Sequence, residues 1–145
     1  MKLVIDASVW VSAFVASDVH HAQADQLLET CLALRAKVIV PEIVLLEVAA
    51  GVARFLRHDG TGQVAAKKVE RFPGIKMLRC KAFLNKSITV ATRHFLRAAD
   101  ALYVTVARVS KTTLVTLDDE MLQRASAAAT VSTPARWLDN LAPKT

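Results

Sequence analysis

Residues 2–10 read Lys-Leu-Val-Ile-Asp-Ala-Ser-Val-Trp. Lys2–Ile5 is short, β-rich and closed by Asp6, the pattern of a buried strand. Ser8–Ala16 then carries apolar residues without a turn signal and reads as a short helix. A strand passing straight into a helix is the unit that the rest of the chain repeats.

Working outward, His20–Ala36 shows a helical stripe at Ala24, Leu27, Leu28, Cys31 and Leu34. Lys37–Val40 is a second strand, stopped by Pro41, and Glu42–Arg57 a helix with that proline at its first turn, where a missing N–H costs nothing. The stretch His58-Asp59-Gly60-Thr61-Gly62 ends it, and Gln63–Phe72 continues helically to the break at Pro73-Gly74. Ile75–Cys80 reads as a third strand, and Phe83–Leu96 as a helix with Leu84, Ile88, Ala91 and Phe95 on one face. Ala99–Val109 is a further helix, Thr112–Thr116 a fourth strand, Asp119–Ala128 a helix, Thr130–Ser132 a weak fifth strand, and Pro134–Leu138 a last helical turn. Alternation of this kind predicts the α/β class: a mainly parallel sheet of about five strands with helices on both faces. Ligands of such sheets lie beyond the carboxyl ends of the strands, where the strand order reverses.

Composition narrows the function classes. The 145 residues are 53% hydrophobic and 22% charged, too apolar for intrinsic disorder. The longest apolar runs, Ile43–Leu46 and Val48–Val52, fall far short of the roughly 20 residues of a membrane span. Met1 to Asp6 reaches an acid too early for a signal peptide, so the expectation is one soluble cytoplasmic domain over 1–145. Cys31 and Cys80 form neither a disulfide framework nor a metal-knuckle spacing and read as free thiols.

Four acids stand out by position. Asp6 ends the first strand and Asp118 follows the fourth, so both lie on the carboxyl-end face; each also precedes a helix, where Asp is a favoured N-cap. Glu47 lies inside Ile-Val-Leu-Leu-Glu-Val-Ala-Ala and Asp100 inside Ala-Ala-Asp-Ala-Leu-Tyr-Val. An unpaired carboxylate among apolar side chains is costly or shifts its pKa. Asp100 has the alternative of capping its own helix. Four carboxylates sharing one cleft repel each other unless a cation sits among them, and an all-oxygen set suits Mg²⁺ or Mn²⁺ rather than zinc.

Val-Ile-Asp-Ala-Ser at 4–8, Glu47 in the helix after Pro41, Ala-Ala-Asp-Ala-Leu-Tyr at 98–103 and Leu-Val-Thr-Leu-Asp at 114–118 together resemble the PIN-domain nuclease pattern over essentially the whole chain. Among PIN proteins a compact chain of this size looks most like the VapC toxins of type II toxin–antitoxin systems. The resemblance implies a Rossmann-like α/β/α sandwich and a Mg²⁺- or Mn²⁺-dependent endoribonuclease acting on structured RNA, held in check by a VapB-type antitoxin. It carries the catalytic and metal-binding acids over as Asp6, Glu47, Asp100 and Asp118, with Asp119 the alternative at the fourth position. Ser8 and Thr116 would orient carboxylates or water.

Charge is unevenly spread. The formal net charge is +6, yet residues 54–97 alone hold eleven Lys/Arg against Asp59 and Glu70, a net +9. This basic segment is a phosphate-backbone track, a dock for an acidic antitoxin tail, or a set of solvated helix faces, with Arg54, Arg57, Arg93 and Arg97 as the contacts to RNA or antitoxin. Apolar stretches such as Val9–Val15 exceed the needs of one small core, which predicts a homodimer. The four histidines fall near helix ends or in turns, which disfavours a histidine general base. A non-catalytic PIN-like module that only binds RNA or protein is the alternative. Other phosphate-handling α/β enzymes fit poorly: a haloacid-dehalogenase-like phosphatase needs a second Asp where Ser8 stands, a receiver domain needs an acidic pair that this N-terminus lacks, and no glycine follows the first strand to cradle a nucleotide.

Overall fold

The computed structural model describes residues 1–141; the last four residues of the expected 1–145 domain lie outside the described residues. Five strands, β1 (Lys2–Ile5), β2 (Lys37–Pro41), β3 (Ile75–Leu78), β4 (Leu114–Val115) and β5 (Val131–Ser132), form one sheet in the order β3-β2-β1-β4-β5. Every pairing is parallel, with Val4 opposite Ile39 on one side and opposite Leu114 on the other. The helices are α1 (Ala7–Phe14), α2 (His21–Ala33), α3 (Val44–Leu56), α4 (Asp59–Glu70), α5 (Leu84–His94), α6 (Ala98–Ser110), α7 (Asp119–Arg124) and α8 (Pro134–Asp139), with a 3₁₀ turn at Cys80–Phe83. The expected α/β class and five-stranded sheet are both present.

Chain direction explains the layering. From β1 to β3 the strands advance one way, and α1 packs against α2 and α3 while α3 packs against α4. The chain then returns past β1 to β4, and right-handed crossovers place α5 and α6 on the opposite face. The reversal falls between β1 and β4. α6 lies across β1, β2 and β4 with α5 outside it, and Asp100–Ala107 are consecutively buried. A helix enclosed all round reads as apolar all round, which makes the acid in its first turn conspicuous. Leu3, Val4, Ile5, Val38, Val40, Leu114 and Val115 are fully buried in the sheet, and Trp10 packs edge-on against Phe72 at 5.0 Å.

Three local expectations are corrected. Pro41 is the last residue of β2, paired with Leu78, rather than the first turn of a helix; α3 begins at Val44. The helix does end before the glycine-bearing stretch, at Leu56 with Arg57 in the left-handed conformation, but 59–62 is not a loop: α4 starts at Asp59 rather than Gln63, with His58 Nδ1 accepting the Thr61 N–H at 3.1 Å. Gly62 is there for close approach, since a Cβ would run into the Ala49 carbonyl oxygen and the Ala53 side chain of α3. Finally, the stripe Leu84, Ile88 and Phe95 faces outward, while Ser87 and Val90 turn inward towards α6. No helix among the described residues is long and apolar enough to cross a membrane.

Candidate functional site

Beyond the carboxyl ends of β1 and β4, a cavity of about 280 Å³ is lined by Asp6, Ala7, Ser8, Glu47, Arg97, Ala99, Asp100 and Asp118. Four acids reach it from four places in the fold. Asp6 leaves β1 and caps α1, Glu47 projects from the first turn of α3, Asp100 from the first turn of α6, and Asp118 caps α7 after β4. Asp6 and Asp118 each cap a helix and line the cavity with the same side chain. Asp119 is exposed and does not line the cavity.

Asp6 is held by hydroxyls. Ser8 Oγ donates to its Oδ2 at 2.6 Å and Thr116 Oγ1 donates to the same oxygen at 2.8 Å. Each hydroxyl is itself fixed by a backbone donor of the β4–α7 loop: Leu117 N–H to Ser8 Oγ at 3.0 Å, and Asp118 N–H to Thr116 Oγ1 at 3.0 Å. The network therefore ties β1 to the segment after β4 and points Asp6 into the cavity. Both Ser8 and Thr116 thus bond directly to Asp6.

Glu47 has a partner that sequence reading missed. Tyr103, fully buried on α6, donates its hydroxyl to Glu47 Oε2 at 2.6 Å. The available signal was spacing: Tyr103 lies three residues after Asp100, hence on the same helical face. No histidine lines the cavity.

Arg97 is the other surprise. Its Nε donates to Asp100 Oδ2 at 2.9 Å and its Nη2 to Asp118 Oδ2 at 2.7 Å, with Glu120 Oε2 at 3.9 Å from Nε. One guanidinium thus bridges the first turns of α6 and α7. Arg54, Arg57 and Arg93 are exposed and do not line the cavity. All four ion pairs among the described residues involve Arg97 or Arg124, so those three cations have no acidic partner there. Arg93 instead borders a separate cavity of about 380 Å³ with Lys86 and Arg108, between α5 and α6.

The electrostatics follow from this geometry. Burial pushes the Asp6 carboxyl above its usual range, against the opposing pull of Ser8 and Thr116. Burial raises Glu47 as well, opposed by Tyr103 and reinforced by the charges of Asp6 and Asp100. Asp100 is raised by burial, opposed by Arg97, and further raised by Asp6 and Asp118. Asp118 alone lies below its usual range: partial burial works against it, but the Met121 N–H and Arg97 outweigh that. Tyr103 is held far above the ordinary phenol value, by burial and then by Asp6 and Glu47. Burial thus works against the ionisation of three of the four cavity acids at once.

Whether a divalent cation fits can be judged from the donors. They are carboxylate oxygens, the hard ligands that Mg²⁺ and Mn²⁺ select, and their mutual repulsion is what such an ion relieves. Among the described residues no three acidic, histidine or cysteine side chains are gathered closely enough to cage an ion as they stand. The donor chemistry fits; Arg97 now takes up part of it.

Comparison with known proteins agrees with this architecture. The structure superimposes on VapC20 of Mycobacterium tuberculosis, a sarcin–ricin-loop-cleaving toxin, with a TM-score of 0.71 at 22% identity, covering 89% of this chain and 96% of that one. It is also similar to PAE2754 of Pyrobaculum aerophilum (TM-score 0.67, 22% identity, 99% and 91% covered). VapBC2 of Rickettsia felis, solved on a promoter DNA fragment, gives 0.65 at 17% identity, with 92% and 98% covered. No curated protein matches the chain by sequence. The PIN-domain profile matches residues 3–127, a span that takes in all four cavity acids, and the chain accordingly belongs to the PIN-domain family.

Proposed function

We propose that this chain is a Mg²⁺- or Mn²⁺-dependent endoribonuclease and the toxin of a toxin–antitoxin pair, working in the cytoplasm. The observation that carries the reading is the convergence of Asp6, Glu47, Asp100 and Asp118 on one cavity at the point where the strand order reverses. Asp6, Asp100, Glu47 and Asp118 would hold the ion. A divalent cation bound there supplies the Lewis acidity and charge neutralisation that phosphodiester hydrolysis needs.

The chain's own groups do the rest. Ser8 and Thr116 hold Asp6 through Oδ2 alone, so its orientation is set before any ligand arrives. Tyr103 does the same for Glu47, which is thereby oriented either as a ligand of the ion or as the carboxylate that orients the attacking water. The cations Arg54, Arg57 and Arg93, unpaired among the described residues, supply contacts for RNA phosphates or for an acidic antitoxin segment. An antitoxin partner is supported by the similarity to VapBC2, solved as a toxin–antitoxin assembly. A second copy of the chain fits the outward stripe of α5, where Leu84, Ile88 and Phe95 are about half to three-quarters exposed, 49%, 55% and 78%.

The decisive experiment incubates the purified chain with structured RNA in Mg²⁺ or Mn²⁺ and sequences the fragments. Cleavage at defined sites, abolished by chelator and by Asp100→Asn, is the expected result. Equal cleavage by Asp100→Asn would refute the reading.

A further inference from the structure

The acidic cavity already contains a cation of the protein's own. Arg97 spans Asp100 and Asp118 with two short charge-assisted bonds, one to each carboxylate at 2.9 and 2.7 Å, from separate nitrogens of one planar guanidinium. Its side chain is nonetheless 58% exposed, so it sits at the mouth of the cavity rather than locked inside it. A second resting place adjoins it. Glu120 Oε2 lies 3.9 Å from Nε, while the other oxygen of that carboxylate, Oε1, pairs with Arg124 at 3.0 Å. The guanidinium can thus leave Asp100 and Asp118 without losing every acidic neighbour.

We propose that Arg97 is an internal counter-ion that a divalent cation must displace, so that this one side chain sets the metal concentration at which the site loads. The inference rests on the metal-dependent reading above. Two of the four carboxylates are engaged by Arg97 before any ion arrives, and among the described residues no three acids are gathered closely enough to cage an ion. Loading therefore exchanges one cation for another. The apparent affinity is the intrinsic affinity reduced by the fraction of time that Arg97 is away. Once displaced, the guanidinium remains at the rim, within reach of a phosphate entering the cavity.

The test is a Mn²⁺ titration of the chelator-treated full chain by calorimetry, comparing wild type with Arg97→Gln and Arg97→Lys. Thermal unfolding is followed in parallel, with chelator and with Mn²⁺. Removing the competitor should tighten Mn²⁺ binding about tenfold in Arg97→Gln, the gain expected if Arg97 occupies the carboxylates about nine-tenths of the time. Arg97→Lys, which must serve both acids from a single nitrogen on a shorter side chain, should hold them more weakly and fall between the two. Arg97→Gln should also melt below wild type in chelator, yet gain more from added Mn²⁺. A purely structural bridge between α6 and α7 predicts the opposite: Mn²⁺ affinity equal to or weaker than wild type in both variants, which overturns the proposal. If Arg97→Gln does not fold even with Mn²⁺, Arg97→Lys decides by the same criterion. Absence of Mn²⁺ binding in wild type and variants alike would overturn the metal-dependent reading itself, a distinct result from unchanged affinity.

Discussion

The Tyr103 hydroxyl donates to Glu47 Oε2 across 2.6 Å, joining the buried helix α6 to the first turn of α3. Sheet pairing does not connect these two helices, so this bond holds Glu47 in register with Asp100, three residues before Tyr103 on the same helix. Tyr103→Phe keeps the ring in its fully buried slot and removes only the donor. The expected cost is about 1 kcal/mol of stability, together with a roughly tenfold or greater loss of RNA cleavage as Glu47 loses its orientation. Urea unfolding and cleavage rates, measured on the same preparation, check both.

Asp6 offers a test in which the sign of the pH dependence is fixed. Its carboxyl is raised above the ordinary value near 3.8, first by burial. An acid whose folded pKa is raised leaves full stability below the unfolded value and removes stability as pH climbs through the folded one. In chelator, wild type should therefore lose stability more steeply than Asp6→Asn as pH rises above about 4. Cleavage by Asp6→Asn should fall about a hundredfold or more. Parallel pH profiles for the two proteins, or wild-type cleavage by the variant, would contradict the placement of Asp6.

The two thiols should behave differently. Burial pushes the Cys31 thiol up to about 12, whereas Cys80 is only partly buried at the start of the 3₁₀ turn. Thiolate, the reactive form, is thus nearly absent at Cys31 near neutral pH. A thiol-exchange reagent should label one cysteine per native chain, at Cys80, and two after denaturation.

The outward stripe of α5 predicts assembly. Ile88→Glu places a charge in the middle of Leu84, Ile88 and Phe95 without disturbing Ser87 or Val90, the residues that pack inward. Sedimentation should show a smaller species than wild type, with thermal stability within about 0.5 kcal/mol for the monomer, as for other surface changes. An unchanged sedimentation mass for a folded variant would remove this stripe from the interface.

Much of this was legible from local pattern. The β-rich runs read as ending at Ile5, Val40 and Cys80, alternating with helical stripes, state a parallel α/β sheet because crossover helices must separate parallel neighbours. Glu47 and Asp100 announced themselves as acids amid apolar residues. Other features were not legible, for one reason: adjacency in space. Gly62 reads as a breaker until α3 is seen pressed against it. Leu84, Ile88 and Phe95 read as an inner face until α6, rather than the sheet, is seen to cover the other side of α5.

Periodicity was enough to fix the class of fold and the order of its elements, and the cost of burying charge singled out Glu47 and Asp100, while the choice between Asp118 and Asp119 stayed open. Only the tertiary structure decided how those acids are held. Asp6 and Thr116 are 110 residues apart, Glu47 and Tyr103 56, and Arg97 and Asp118 21. No local rule encodes such pairings; the crossover from β3 back to β4 creates them. That return path brings α6 and the β4–α7 loop beside β1, and with them the arginine that now occupies the acids' company.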